Sequence, residues 1–170
     1  MGNYKRLGSG ALVVILLLTA VFLAGCDREE EMPAELEVDL YFSDQEAMKL
    51  IPEKRVVDTE DLYYNTLREL IAGPSEDSLL KTIPEGTEVE DIDLAEDQAE
   101  VSFNQALSER HWGGSSGELM TVYSIVNTLT QFDEIDEVKI LLEGQEVESL
   151  VGHMDLTDFL VFNEDLVEDK

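Results

Sequence analysis

The sequence predicts an α+β domain built on a mixed β-sheet with two helices packed on one face. Short segments alternate apolar and polar residues with a period of two, which is typical of half-buried strands. Two longer segments repeat apolar residues at helical spacing, and the predicted order along the chain is β-β-α-β-β-α-β-β. The chain has 170 residues, which is long enough for one domain with its own hydrophobic core.

The first half of this domain is predicted as two strands and a helix. Alternation over 38–42 indicates a strand, residues 44–53 a loop, and residues 55–57 a second, short strand. The acid-rich segment 58–61 supplies a capping side chain for the first helix, and Gly73, which precedes a proline, ends it. The face of the helix that we expect to be buried consists of Tyr63, Leu67, Leu70 and Ile71.

The middle of the chain predicts a β-hairpin. Two segments alternate apolar and polar residues on either side of a short polar turn at 95–98. Val89 falls out of phase with the first of these strands, which predicts a β-bulge. The apolar positions are Ile92 and Leu94 before the turn, and Ala99, Val101 and Phe103 after it.

The second helix is predicted from a capping signal and a continuous apolar stripe. In this capping box, the Ser115 hydroxyl accepts a hydrogen bond from the Glu118 N–H, and the Glu118 carboxylate bonds back to the start of the helix. A strand over 138–142, a turn at 143–145 and a short return from Val147 complete the sheet. The stripe consists of Leu119, Val122, Tyr123, Val126 and Leu129.

The N-terminus has the pattern of a bacterial lipoprotein signal. Lys5 and Arg6 precede an apolar run over 11–24. That run of about 14 residues is shorter than the ~20 that span a bilayer as a helix. It ends in Leu-Ala-Gly-Cys at 23–26, in which small residues precede the one cysteine of the chain. We expect cleavage before Cys26 and attachment of a lipid to its thiol.

This pattern divides the chain into segments. Residues 1–25 are predicted as the signal peptide, 26–36 as an acidic tether, 37–160 as the folded domain and 161–170 as an acidic C-terminal tail. We expect the lipid on Cys26 to hold the domain at the extracytoplasmic face of the cell membrane. The domain itself contains no cysteine, so its stability rests on its core and not on disulfides.

The charge of the chain restricts its partners. Eleven Lys and Arg residues face 39 Asp and Glu, which gives a net charge of −28. Nucleic-acid binding is excluded because it depends on neutralising phosphates with cations, and flat docking on anionic lipid is disfavoured because like charges repel. A saline environment and a basic partner both explain the acidity. Because the acids are spread along the chain, a generally solvated surface is favoured.

The sequence carries no recognisable catalytic or metal-binding motif. Its two histidines, His111 and His153, lie far apart and outside any two-ligand helical spacing. The glycine-rich segment 112–117 precedes a helix as phosphate loops do, but no lysine follows it and Glu118 would repel a phosphate. The serines of this segment lack the G-x-S-x-G pattern of hydrolases. We therefore expect no enzyme activity, no metal and no cofactor.

A set of short segments between about residue 36 and residue 160 carries a family resemblance. In the first half these segments are 70–74, 83–87 and 101–103, and in the second half 116–118, 121–130, 138–144 and 152–156. Their order and spacing resemble the GerMN domain of the GerM germination and sporulation lipoproteins. GerM resembles a tandem of two such domains, whereas this chain has room for one.

The resemblance implies both a fold and a class of function. GerMN domains are similar to the ring-building modules of secretion and sporulation machines. The expected role is that of a non-enzymatic interaction domain on a lipoprotein that supports an envelope assembly in sporulation or spore germination. The partner is expected to be an envelope or sporulation protein, with a second copy of the chain as a further candidate.

Four residues are candidate partner contacts. Trp112 is a large aromatic residue among glycines, which predicts an exposed anchor, although its ring could instead fold onto the core. Ser124, Asn127 and Thr128 would form a polar contact surface on the second helix, or else this part of the helix provides core packing plus an ordinary polar face. Two other classes of function remain open. A small-molecule or peptidoglycan-binding lipoprotein would need a concave aromatic-lined pocket, and a hydrolase would need a nucleophile.

Overall fold

A computed structural model describes residues 34–168, and the predicted signal peptide and Cys26 therefore lie outside the described residues. The α+β prediction is confirmed. The strands are β1 (Glu35–Ser43), β2 (Leu50–Asp58), β3 (Val89–Ala95), β4 (Gln98–Phe103), β5 (Glu137–Leu142), β6 (Gln145–Glu146) and β7 (Leu160–Val161). The helices are α1 (Leu62–Ala72), α2 (Ala106–Glu109) and α3 (Ser115–Leu129), followed near the C-terminus by a 3-10 turn at Glu164–Leu166.

The strands form two sheets instead of the single sheet that the sequence predicts. β1 and β2 make an antiparallel hairpin whose register runs from Glu35 opposite Asp58 to Ser43 opposite Leu50. In the second sheet β3 pairs with β4, β4 runs parallel to β5, and both β6 and β7 pair with β5. The predicted hairpin β3–β4 and its bulge are confirmed, with the register shift between Val89 and Asp91.

The second strand is much longer than the sequence predicts. It spans nine residues instead of three. Its first half hides the strand pattern because it includes Pro52 and the buried acid Glu53. The Glu53 carboxylate accepts the backbone N–H groups of Ser75 and Glu76 at 2.9 and 3.1 Å, and it pairs with Arg55. These bonds explain how an acid can occupy a buried strand position.

The hydrophobic core lies between the two sheets and the two longer helices. α1 packs on β1, β2 and β3, α3 packs on β1 and β5, and the helices also pack on each other. Because the helices contact both sheets, they join them into one core. Its largest side chains with almost no exposure include Phe42, Leu67, Phe103, Ile125 and Ile140.

The ends of α1 agree with the sequence signals in part. Gly73 follows the helix with φ 101°, and its N–H bonds to the carbonyl oxygens of Glu69 and Leu70. Glycine adopts this φ without steric cost. At the other end, Asp61 precedes the helix with φ 58° and its side chain makes no capping bond. The predicted side-chain cap is therefore absent.

The segment predicted as an acidic tail returns to the domain. Leu160 and Val161 form β7, and the following 3-10 turn leads to a parallel bridge between Val167 and Leu50. The Glu168 N–H donates to the Leu50 carbonyl at 3.1 Å. Residues 161–168 thus cover the end of the first hairpin. Within residues 34–168, no helix is long and apolar enough to cross a membrane.

Candidate functional site

The polar face of α3 lies inside the domain. Ser124, Asn127 and Thr128 are all fully buried. The prediction that they form a contact surface is therefore wrong, because a partner cannot reach them in the folded domain. The alternative, core packing plus a polar helix face, is right about the packing but wrong about the polar face, because these three side chains are buried as well.

Thr128, and Gln131 just after the helix, bind backbone groups that lack a neighbouring strand, whereas the Ser124 hydroxyl donates to the Thr121 carbonyl of the same helix at 3.0 Å. The outer edge of β1 faces α3, where the Tyr41 N–H donates to the Thr128 hydroxyl at 3.2 Å. Gln131 accepts from the N–H of Asp39 and donates to its carbonyl, both at 2.8 Å. The helix thus takes the place of a strand along this edge and removes a site for aggregation.

Asn127 likewise binds backbone groups, here in the C-terminal segment. Its Oδ1 accepts the Asn163 N–H at 2.9 Å, and its Nδ2 donates to the Asn163 carbonyl at 3.2 Å. Because both amide atoms are used, the two bonds fix the position of the chain just after β7. One side chain thus binds both backbone groups of a partly buried residue.

Glu118 does not form the predicted capping box. Gly114 occupies the N-cap position, and no side-chain capping bond is made there. The Glu118 carboxylate is fully buried and instead binds the loop that contains residues 150–153. Its Oε1 accepts the N–H groups of Leu150 and Val151 at 2.8 and 3.0 Å, and its Oε2 accepts that of His153 at 2.8 Å. Ser115 is exposed and starts the helix without a cap role.

The glycines before α3 allow the chain to approach the helix closely. A Cβ atom on Gly113 would lie 2.7 Å from the Gly117 Cα, closer than two such atoms can come. The chain can therefore turn tightly over the first helical turn only if residue 113 has no side chain. Trp112 immediately precedes this turn.

A histidine holds this turn in place. His111 Nδ1 accepts the Gly113 N–H at 3.2 Å, and Nε2 lies 3.1 Å from the Thr121 hydroxyl oxygen. The Thr121 hydroxyl donates its one proton to the Thr82 carbonyl at 2.6 Å, so His111 Nε2 must carry the proton of the ring. The imidazole thus links α3, the Trp112 turn and the segment before Ile83.

Trp112 itself is exposed. The side chain is 60% accessible, and its ring stacks on His111 with centroids 6.0 Å apart. The alternative in which the ring folds onto the core is therefore excluded, and its role as a partner contact stays a prediction. A large exposed aromatic side chain on a hydrogen-bonded loop is typical of interface anchors.

A surface cleft lies beside this ring. Its volume is about 440 Å³, and it is lined by Lys81, Glu85, Arg110 and Trp112. We call it the Trp112 cleft. The Arg110 Nη1 donates to the Glu85 backbone carbonyl at 3.2 Å. The sequence alone does not indicate Lys81 or Arg110 as site residues, because 29 positions separate them and neither belongs to a motif.

Two other concavities differ from the Trp112 cleft in chemistry. One, of about 530 Å³, lies at the loop 148–157 and includes His153 and Asp155. The other, of about 360 Å³, lies on the open face of the second sheet among Glu90, Asp91 and Asp93. Aromatic side chains line neither of them. Among residues 34–168, no three His, Cys, Asp or Glu side chains are grouped as metal ligands would be.

The fold matches solved structures of related domains. The tandem GerMN domains of the sporulation protein GerM from Bacillus subtilis match with a TM-score of 0.65 and 23% identity, over 75% of this chain and 46% of that one. The first GerMN domain of the same protein matches with a TM-score of 0.60 and 23% identity, over 74% and 97%. This chain therefore spans about half of the tandem structure.

A third solved structure and a family model also match the chain. A putative lipoprotein from Clostridium perfringens matches with a TM-score of 0.54 and 26% identity, over 75% of this chain and 88% of that one. Among curated proteins there is no significant match. The model of the Germane family, described as sporulation and spore germination, matches residues 39–148, which is most of the described domain. The chain therefore belongs to the Germane family of sporulation and spore germination domains.

Proposed function

We propose that this protein is a lipid-anchored extracytoplasmic lipoprotein whose domain binds a protein of an envelope assembly in sporulation or spore germination. The family description supports the process. The lipoprotein pattern that ends at Cys26 and the similarity to a clostridial putative lipoprotein support the anchor. The domain acts by binding and not by catalysis.

The observation that carries the proposal is the exposed, rigidly held Trp112. Exposing a large apolar ring to water is unfavourable, whereas burying it against a partner is favourable. The hydrogen bonds of His111 hold the turn before any partner binds. The entropy that a mobile loop would lose on binding is therefore small.

The alternative of a small-molecule or peptidoglycan-binding lipoprotein has less support. Such sites are usually concave pockets with several aromatic or apolar side chains. In the described part of the chain, the Trp112 cleft has one aromatic side chain in its lining and three charged residues, namely Lys81, Glu85 and Arg110. This composition suits the surface of a protein–protein contact better than a pocket that encloses a ligand.

The anchor is tested with Cys26→Ala in the native cell. Metabolic labelling with a fatty-acid analogue should disappear, and an uncleaved precursor should accumulate, because the thiol is the acceptor of the lipid. Gly25→Ala is the matched control, since it keeps a small residue before the cysteine and should be labelled normally. Unchanged labelling of Cys26→Ala would contradict the anchor.

The binding role is tested with Trp112→Ala. Because the ring is 60% exposed, its removal should change the free energy of unfolding by less than about 1 kcal/mol. Crosslinking of the protein to its envelope partner in intact cells should fall strongly, as expected for an anchor worth about 2 kcal/mol or more. Tyr64→Ala removes another exposed aromatic ring from α1 and should leave crosslinking unchanged. Undiminished crosslinking of Trp112→Ala would disprove the assignment.

A further inference from the structure

We infer that the Trp112 cleft binds an acidic segment of a partner protein, which places a carboxylate on Arg110 and Lys81 and an apolar side chain on Trp112. The inference rests on the proposed function, because it names the chemistry of the partner at the same surface. Its basis is the distribution of positive charge in this acidic chain.

Positive charge is scarce in the chain, and part of it is neutralised. Seven Lys and Arg residues lie within residues 34–168. Lys54, Arg55 and Lys139 form ion pairs with carboxylates. Within the described residues, neither Lys81 nor Arg110 has a carboxylate within 4.0 Å, yet both line the same cleft. The Trp112 cleft is therefore a local positive site on a strongly negative protein.

The Arg110 guanidinium is held in a defined position. It lies over Gly86, where a Cβ atom would come within 2.2 Å of Nη1. Gly86 has φ +80°, which also favours glycine. The bond from Nη1 to the Glu85 carbonyl uses one of the five N–H donors of the side chain. The remaining donors suit a carboxylate, which guanidinium groups bind through two parallel hydrogen bonds.

Lys81 is the second cationic residue of the cleft lining, and it comes from the segment before Ile83. Its aliphatic stem lies against Gly73, where a Cβ atom would be 3.5 Å from the Lys81 Cδ. The side chain is thus partly covered, and Lys81 is one of the residues that line the cleft. Glu85 is the one acid in the lining, so the two cations leave the cleft with a net positive charge.

The size and charge of the protein favour a short segment as the occupant. A volume of about 440 Å³ holds a few side chains. A second copy of the chain would bring a net charge of −28 against the same charge, and that repulsion acts over about a Debye length of 8 Å at physiological salt. A short acidic segment carries far less charge, so the local attraction of Arg110 and Lys81 outweighs the repulsion from the rest of the domain.

The test uses Trp112 as its own reporter, because the chain contains a single tryptophan. The probe is the peptide acetyl-Leu-Glu-Leu-Glu-Leu-amide, titrated into the full chain while the emission of Trp112 is recorded. We expect a saturable blue shift, since the ring leaves water on binding. The isosteric peptide with glutamine in place of glutamate should bind about tenfold more weakly or worse, which corresponds to about 1.4 kcal/mol.

Substitutions in the chain then locate the interaction. Arg110→Gln and Lys81→Gln should each weaken binding of the acidic peptide by about tenfold, as expected for a charge-assisted contact. Lys54→Gln makes the same change of net charge on β2, away from the cleft lining, and should leave binding unchanged. Melting curves of all three variants show whether the fold is intact. If Arg110→Gln does not fold, Lys81→Gln alone decides.

Several outcomes would overturn the inference. Equal binding of the acidic and glutamine peptides would mean that the cleft recognises apolar surface only. A blue shift with muropeptides but not with the acidic peptide would assign the cleft to a glycan. A concentration-dependent blue shift without any probe, together with dimers in sedimentation, would assign it to a second copy.

Cell-based crosslinking separates this inference from the proposed function. If Trp112→Ala loses its crosslinks while Arg110→Gln and Lys81→Gln keep theirs, the binding role holds and the acidic partner is refuted. If Trp112→Ala keeps its crosslinks, the proposed function fails. Loss of crosslinks in all three variants, but not in Lys54→Gln, supports both.

Discussion

The buried carboxylate of Glu118 provides the most informative test of how this domain is held together. It accepts three backbone N–H groups, from Leu150, Val151 and His153. No cationic side chain of the described residues lies within 4.0 Å of it. The negative charge is therefore stabilised by peptide dipoles, both from this loop and from the N-terminal turn of α3 in which Glu118 lies.

Glu118→Gln keeps the size and shape of the side chain. The amide oxygen can still accept from Leu150 and Val151, but the amide NH2 then faces the His153 N–H, and two donors repel. One charge-assisted bond is lost and the other two weaken, which should reduce the free energy of unfolding by about 2–3 kcal/mol. Glu118→Ala also leaves a cavity and removes the acceptor of all three N–H groups, and we expect a loss of about 3–5 kcal/mol.

Urea unfolding followed by circular dichroism measures these losses, and amide hydrogen exchange locates them. Exchange at Leu150, Val151 and His153 should become faster in Glu118→Gln. Glu148→Gln is the matched control because it changes an exposed acid of the same loop, and it should stay within about 0.5 kcal/mol of the wild type. A Glu118→Gln protein as stable as the wild type would refute the reasoning.

Three further predictions concern the charge and the edges of the domain. At a net charge of −28, the melting temperature should rise with added KCl, because salt screens self-repulsion, and a flat curve up to molar salt would show that repulsion is not limiting. Thr128→Val should reduce the free energy of unfolding by about 1–3 kcal/mol, because it leaves the buried Tyr41 N–H without an acceptor. The control Thr130→Val, at a half-buried position, should reduce it much less in the same urea assay. Burial raises the pKa of Glu53, but the bonds from Arg55 and from backbone N–H groups outweigh it and leave the pKa below the usual 4.5. The stability that Glu53 contributes relative to Glu53→Gln should thus be complete above pH 4.5 and decrease as the pH falls below it, and a difference in unfolding free energy that is independent of pH would contradict this assignment.

Local sequence patterns were sufficient for much of the fold. Alternation predicted β4 and β5, and the end of α1 at Gly73 followed from its glycine and proline. The out-of-phase Val89 predicted the bulge in β3. Each of these features depends on residues within one element or one turn, so the sequence contains its full cause.

Other features depend on contacts between distant parts of the chain. β2 includes a proline and a buried acid, and its length is explained by pairing with β1 and by the bonds of Glu53 to the segment after α1. The Trp112 cleft was recognised in part, because the sequence predicts an exposed Trp112 but nothing that brings Lys81 and Arg110 to it.

The polar residues of α3 show most clearly what the sequence determines and what it cannot. The sequence determines that Asn127 and Thr128 lie on one side of an apolar helix, with Gln131 just beyond its end, and such polar residues normally face solvent. In the tertiary structure, that side instead faces the free backbone edges of β1 and of the segment after β7. Only the tertiary packing decides whether these polar side chains face solvent or the interior. A buried polar side chain is stable where unpaired N–H and C=O groups need a partner. Those groups lie 36 to 92 residues away along the chain, so no local pattern reveals them.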